Sequence, residues 1–251
     1  MSGHSKWSTI KRKKGAADQA RGKVFSRLAR EITVASKIGG GDLDANPRLR
    51  TAVETARAQN MPSDNIKRAI QRGTGELPGV TYEEITYEGY GPGGVAVLVQ
   101  VATDNRNRSV AEIRKIFEKR GGHLGELNSV AWMFRQVGFF LVDAGSIDED
   151  DLLTIALDAG AEDISRDEEM YEVITSPTDY LQVRQAFEDH GVKRESDELA
   201  MLPSTYVDLD DRESERCLLL MEDLEDHDDV QNVFANLDIN ASAGTGSESS
   251  G

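Results

Sequence analysis

The sequence is nearly free of cysteine. Its 251 residues include one, Cys217, so an internal disulfide and a cysteine-ligated zinc site are excluded, and a reducing compartment is the default. Histidine is scarce too: His4, His123, His190 and His227 stand far apart and form no metal-ligand spacing. No apolar run approaches the roughly 18 residues of a membrane helix; the longest candidate, Val95 to Ala102, already contains Gln100. The opening, Met1-Ser2-Gly3-His4-Ser5-Lys6-Trp7, lacks the apolar core of a secretory signal. A cytoplasmic location without membrane contact is therefore expected. Gly-x-Ser-x-Gly is absent, and no Gly-Lys-Ser/Thr follows the glycine-rich segment Gly89 to Gly94, so neither a hydrolase nor a P-loop is indicated. The acidic clusters Asp148–Asp151, Asp208–Glu215 and Glu222–Asp229 lack the EF-hand spacing and its central glycine. The expectation is a non-enzymatic protein with no cofactor, no metal and no small-molecule substrate.

What the chain does have is charge, unevenly placed. The net charge is −16, which taken alone argues against a polyanion partner. Residues 1–75, however, hold 16 Lys+Arg against 6 Asp+Glu, a net of +10, while the rest hold 13 against 39, a net of −26. A basic segment on an acidic body points to nucleic-acid contact through that segment.

The basic segment reads as an arm followed by a small helical bundle. Residues 2–15 carry Lys6, Lys11, Arg12, Lys13 and Lys14 with little apolar pattern. A helix over 16–37 follows, with Val24, Phe25, Leu28, Ile32 and Ala35 at helical spacing and Lys23, Arg27, Arg30 and Lys37 on another stripe. Gly39-Gly40-Gly41 stops it. Asn46-Pro47 caps a second helix with Leu49, Ala52, Val53 and Ala56 inward. Met61-Pro62 ends it, and Ser63 caps a third helix closed by Gly73.

Beyond Gly75 the pattern changes. Strands are expected over 83–88 and 95–102, joined by a tight turn at Gly89 to Gly94. Ser109-Val110-Ala111-Glu112 has the form of a capping box, opening a helix with Val110, Ile113, Ile116 and Phe117 inward. A strand over 130–134 follows. From Val137 the order is strand, helix, strand, strand, helix, strand, the ferredoxin-like split βαβ. Residues 218–237 look helical and pack back on the sheet of 82–134. The fold class is thus α+β, multidomain: an N-terminal helical bundle, then two α/β domains, the second ferredoxin-like (βαββαβ) and inserted into the first. The boundaries are 1–75, 80–135 plus 205–240, and 136–204, with 241–251 a Ser/Gly-rich tail expected to be disordered.

Several ordered motifs are familiar together: Gly3-His4-Ser5-Lys6-Trp7, Asn46-Pro47-Arg48-Leu49-Arg50, Tyr87-Glu88-Gly89-Tyr90-Gly91-Pro92-Gly93-Gly94, Asp104-Asn105-Arg106-Asn107-Arg108, Gly121-Gly122-His123-Leu124-Gly125 and Asp228-Asp229-Val230-Gln231. Over about residues 2–240 the chain resembles the YebC/PmpR family of probable transcriptional regulatory proteins. The resemblance implies three domains, a cytoplasmic protein and DNA binding tied to transcription control. It equally implies a translational role, since relatives that include a mitochondrial translational activator are associated with ribosomes and with synthesis of proline-rich stretches.

Lys6, Trp7, Lys11, Arg12, Lys13, Lys14, Arg21, Lys23, Arg27 and Arg30 are the candidate nucleic-acid contacts. Each cation that meets a phosphate releases a counterion, and the Trp7 ring can stack on a base. The competing readings are a solvated charged face with Trp7 packed on the bundle, or the arm docked on the acidic body and released by a polyanion. Arg106 and Arg108 are secondary candidates, because cations near a helix N-terminus oppose the macrodipole and can mark a site. Asn65, Lys67, Arg68 and Gln71 could present polar groups to bases, but no helix-turn-helix pattern is clear. DNA and ribosomal RNA both remain open as the partner.

Overall fold

In a computed structural model of the chain, the described residues are 18–167 and 169–238. The arm with Lys6, Trp7, Lys11, Arg12, Lys13 and Lys14, the tail 241–251 and the side chain of Arg21 lie outside them. The chain divides into two compact units, one containing the described residues up to Val130 together with Leu209–Val233, the other Ala131–Asp208 with the segment from Phe234.

The first unit opens with three helices, α1 (Asp18–Gly39), α2 (Pro47–Ala58) and α3 (Ser63–Gly73). Ile32, Ala35, Leu49, Ala52, Val53, Ala56, Met61, Ile66 and Ala69 form their shared core, with Phe25 and Leu28 packed against it. Asn46 caps α2 as its sequence indicates, accepting from the Leu49 N–H at 3.1 Å and donating to Ala35 O and Gly40 O. Ser63 does not cap α3. Pro62 holds the cap position with extended backbone, and Ser63 is the first helical residue. Gly73 is the last residue of α3 and has no room for a side chain, since a Cβ there would collide with the Thr33 carbonyl of α1.

After the exposed segment 74–81 come β1 (Glu83–Tyr90), β2 (Ala96–Thr103), α4 (Arg106–Lys119), β3 (His123–Leu124), α7 (Asp211–Glu225) and β9 (Val230–Ala235). The sheet order is β3-β1-β2-β9, with β1 antiparallel to both β2 and β3. Strand β2 is buried along nearly its whole length, the pattern of a strand covered on both faces, and α1 is one of the elements against it. The glycine-rich segment is a turn: Pro92–Gly94 makes one 3-10 turn, with Gly93 and Gly94 at positive φ.

Three sequence expectations fail here for identifiable reasons. The capping box at Ser109 does not start α4. Asn105 does, accepting from the Arg108 N–H at 3.1 Å, and Ser109 is buried inside the helix. The expected strand 130–134 is broken because the Val130 N–H donates to the buried carboxylate of Glu88 at 2.7 Å, as does that of Asn128 at 2.6 Å; Ala131–Met133 is then a 3-10 turn. The expected helix 218–237 is half helix and half strand. Val230, Val233, Phe234 and Leu237 fit a helical period, but Asp226–Asp229 forms the turn between α7 and β9. The segment does return to the sheet, as its edge strand beside β2.

The second unit contains β4 (Phe134–Asp143), α5 (Glu149–Asp158), β5 (Ala161–Asp167), β6 (Met170–Thr175), α6 (Tyr180–Asp189) and β7 (Arg194–Pro203). Their sheet order is β5-β6-β4-β7, with antiparallel neighbours throughout. That is the ferredoxin-like arrangement read from the element order. Phe140 is stacked on Tyr180 at 5.1 Å and edge-on to Phe187 at 5.3 Å, in a core that α5 and α6 share with β4 and β6. A short parallel pair, β8 (Val207–Asp208) with β10 (Leu237–Asp238), completes the unit. Among the described residues, no helix is long and apolar enough to cross a membrane.

Candidate nucleic-acid interface

Lys23, Arg27 and Arg30 lie on one stripe of α1, as their spacing requires. The stripe is only partly open to solvent. It faces the turn that follows α7. Lys23 Nζ is 3.0 Å from Asp226 Oδ1 and also donates to Asp226 O at 3.2 Å. Arg27 sits among Glu225, Asp226 and Asp228; burial lowers its pKa, while those three acids oppose the shift. Arg30 Nη2 is 3.5 Å from Asp229 Oδ1, and its guanidinium lies 5.6 Å from the centre of the Tyr82 ring. Val34, one turn further along, is buried outside the bundle core.

Asp229 is the centre of this contact. Its carboxylate is nearly fully buried and accepts from Arg108 Nη2 at 2.7 Å, Ser109 Oγ at 2.7 Å and Thr103 Oγ1 at 3.0 Å. Burial pushes its pKa up, but these donors outweigh burial and hold it below the ordinary carboxylate value. Its backbone is fixed as well: Asp229 N donates to His227 Nδ1 at 3.1 Å, and Asp229 O accepts from Ala102 N at 2.9 Å. Arg108 therefore has a structural partner. It bridges Asp229 and Asp104, the latter at 2.9 Å, and the hydrogen bond it donates to Asp229 raises its pKa. Arg106, in the same first turn, is exposed.

Further pairs tie the bundle to β1. Arg48 donates to Glu31 of α1 at 2.7 Å and to Glu84 of β1 at 2.9 Å, and the Glu84 hydrogen bond raises its pKa. Lys37 donates to Tyr82 O at 3.3 Å.

Among the described residues, α3 presents three cations without an ion pair; Arg57 of α2 and Arg106, Arg114 and Lys115 of α4 are likewise exposed and unpaired. Lys67, Arg68 and Arg72 are exposed, opposite the buried Ile66 and Ala69, and have no ion pair among the described residues. Sequence spacing placed Lys67 and Arg68 on this helix but ranked them below the α1 stripe. Pairing decides the difference, and it depends on a turn distant in sequence. Among the described residues, no group of His, Cys, Asp and Glu is arranged to hold a metal ion.

Comparison with known proteins bears on the whole chain. The family model described as the TACO1/YebC N-terminal domain matches residues 5–76, and the one described as the TACO1/YebC second and third domain matches residues 82–237. A probable transcriptional regulatory protein of Geobacter sulfurreducens is 58% identical over 239 residues, covering 95% of this chain and 96% of the relative. One of Trichlorobacter lovleyi is 57% identical, covering 96% of this chain and 97% of the relative. The crystal structure of a conserved hypothetical protein from Aquifex aeolicus superposes with a TM-score of 0.81 at 44% identity, covering 89% of this chain and 92% of that one. By these matches along nearly its full length, the chain belongs to the TACO1/YebC family.

Proposed function

We propose that the chain is a non-enzymatic, nucleic-acid-binding regulator of gene expression, working in the cytoplasm through the basic domain of residues 1–75. The observation that carries this reading is the unpaired cationic face of α3 within a segment of net charge +10. A cation without an internal partner is free to exchange its counterion for a phosphate. Lys6, Lys11, Arg12, Lys13, Lys14 and Arg21 extend this cationic character toward the N-terminus, and Trp7 offers a stacking surface among them. Arg106 adds an exposed cation on the α/β part. Binding of this kind is dominated by phosphate and guided by shape. The names of the relatives, probable transcriptional regulatory proteins, make duplex DNA the first partner to test.

A second reading, a ribosome-associated translation factor bound to ribosomal RNA, has an observation of its own. The net −26 of residues 76–251 is repelled by duplex DNA but suits the basic proteins that accompany ribosomal RNA. Two measurements test the pair of readings. Changing Lys11, Lys13 and Lys14 together to Ala lowers affinity on every sequence and flattens the salt slope by about 0.9 per contact on duplex DNA; an unchanged slope removes the arm from the interface. A sucrose gradient of cell lysate then separates the partners. Co-sedimentation with ribosomes supports the second reading, and absence from ribosomal fractions under stalling conditions eliminates it.

A further inference from the structure

The acidic turn after α7 breaks a local rule. A helix C-terminus carries the negative end of the macrodipole and favours cations. Helix α7 has no basic residue in its last turn. It ends instead on Glu225, Asp226, Asp228 and Asp229. So close to the C-terminus of α7 these acids are unfavourable. Their compensation comes from α1: Lys23 and Arg30 face Asp226 and Asp229 at the distances given above, and Arg27, between them on the stripe, lies in the field of Glu225, Asp226 and Asp228. A sequence that breaks a local preference and restores it through a distant partner has built a specific contact.

The contact is graded along its length. At one end Arg30 and Asp229 are mostly buried, with side-chain exposures of 17% and 4%. At the other, Lys23 and Asp226 are 46% and 70% exposed, in the range where an ion pair contributes little in water and is screened by salt. Asp228 is exposed as well. The buried end fixes the register and the exposed end can open.

We propose that Asp226 and Asp228 form an autoinhibitory latch: they occupy Lys23 and Arg27 in place of phosphate, and a nucleic-acid backbone must displace them to reach the α1 stripe. Arg30–Asp229 stays closed as the anchor. The latch rests on the nucleic-acid reading above and adds a regulatory step to it. Weak polyanion contact engages only the face of α3. A backbone that also reaches α1 gains two further phosphate contacts after opening the turn, so long or high-charge-density targets are favoured over short ones.

The test compares three full-length proteins: wild type, Asp226→Asn/Asp228→Asn, and Asp150→Asn/Asp151→Asn. Both variants lose the same charge, and the second lies on α5, in the other compact unit. A random-sequence duplex and an RNA hairpin serve as probes over a salt series. The latch variant is expected to bind about three- to tenfold tighter than the α5 variant, the worth of one or two exposed ion pairs. Its salt slope should steepen by roughly one to two units. Because the acids oppose the α7 dipole, its melting temperature should be at or above that of wild type. Equal affinity and slope in the two variants overturn the latch. Amide exchange of wild type gives a second reading that needs no substitution. The Asp226 and His227 amides, which donate to Glu222 O and Leu224 O, should exchange faster with the hairpin bound; unchanged or slower exchange in the bound protein overturns the latch. If no protein binds either probe, the nucleic-acid reading fails and the latch with it. If wild type binds and the two variants match, the latch alone fails.

Discussion

Arg30 of α1 and Asp229 before β9, remote from each other in sequence, place their charged groups 3.5 Å apart, and the Asp229 carboxylate also takes Arg108, Ser109 and Thr103. One carboxylate therefore ties the helical segment to the start of α4 and to the end of β2. Arg30 Nη1 is buried without a hydrogen-bond partner, so the charge of Asp229 is what compensates that guanidinium.

Asp229→Asn should destabilise the protein by about 2–3 kcal/mol. The variant keeps the shape but removes the charge facing two arginines, one of them half exposed. Urea unfolding checks this, and a change below about 0.5 kcal/mol would mean that the hub contributes little.

The same carboxylate sets a pH dependence. Its folded-state pKa lies below the ordinary value, so the unfolded chain binds the proton more readily. Its contribution is complete above the ordinary carboxylate range and is lost as pH falls through the folded value. The stability difference between wild type and Asp229→Asn should be flat from about pH 8 to pH 5 and shrink below about pH 4. A difference that grows toward acid pH would show that the native carboxyl is not ionised.

Lys67→Ala/Arg68→Ala/Arg72→Ala tests the open face. Alanine is a good helix former at exposed positions, so folding should be unaffected. Affinity for random duplex and for RNA should fall together, with the salt slope flattened by about 0.9 per lost duplex contact. Unchanged affinity would move the interface off α3.

Cys217 is fully buried on the inner face of α7, and burial pushes its thiol up to about 12. At pH 8 a disulfide reagent should label it only through opening of the fold, at a rate that rises with denaturant. Rapid labelling of the native protein would contradict this burial.

Much of the fold is legible because it depends on local pattern. Asn46-Pro47 starts α2, the element order after Val137 dictates the ferredoxin-like sheet, and Cys217 among leucines is core. The errors share a cause. Ser109 has the form of a cap but donates, buried, to Asp229; Val130 has strand character but gives its N–H to Glu88; residues 230–237 have helical spacing but form the sheet edge β9 and the start of β10. In each case a partner distant in sequence outweighs a local preference worth about 1 kcal/mol or less.

The site divides along the same line. The sequence by itself determined that the N-terminal segment is basic, that the remainder is acidic, and that Lys23, Arg27 and Arg30 share a helical stripe, because charge is additive and helical period is local. Only the tertiary structure decided which of those cations are free. Folding brings Glu225–Asp229 against α1 and leaves Lys67, Arg68 and Arg72 in solvent. The reason is the short range of an ion pair in water, which depends on a few ångströms of approach that sequence position does not encode.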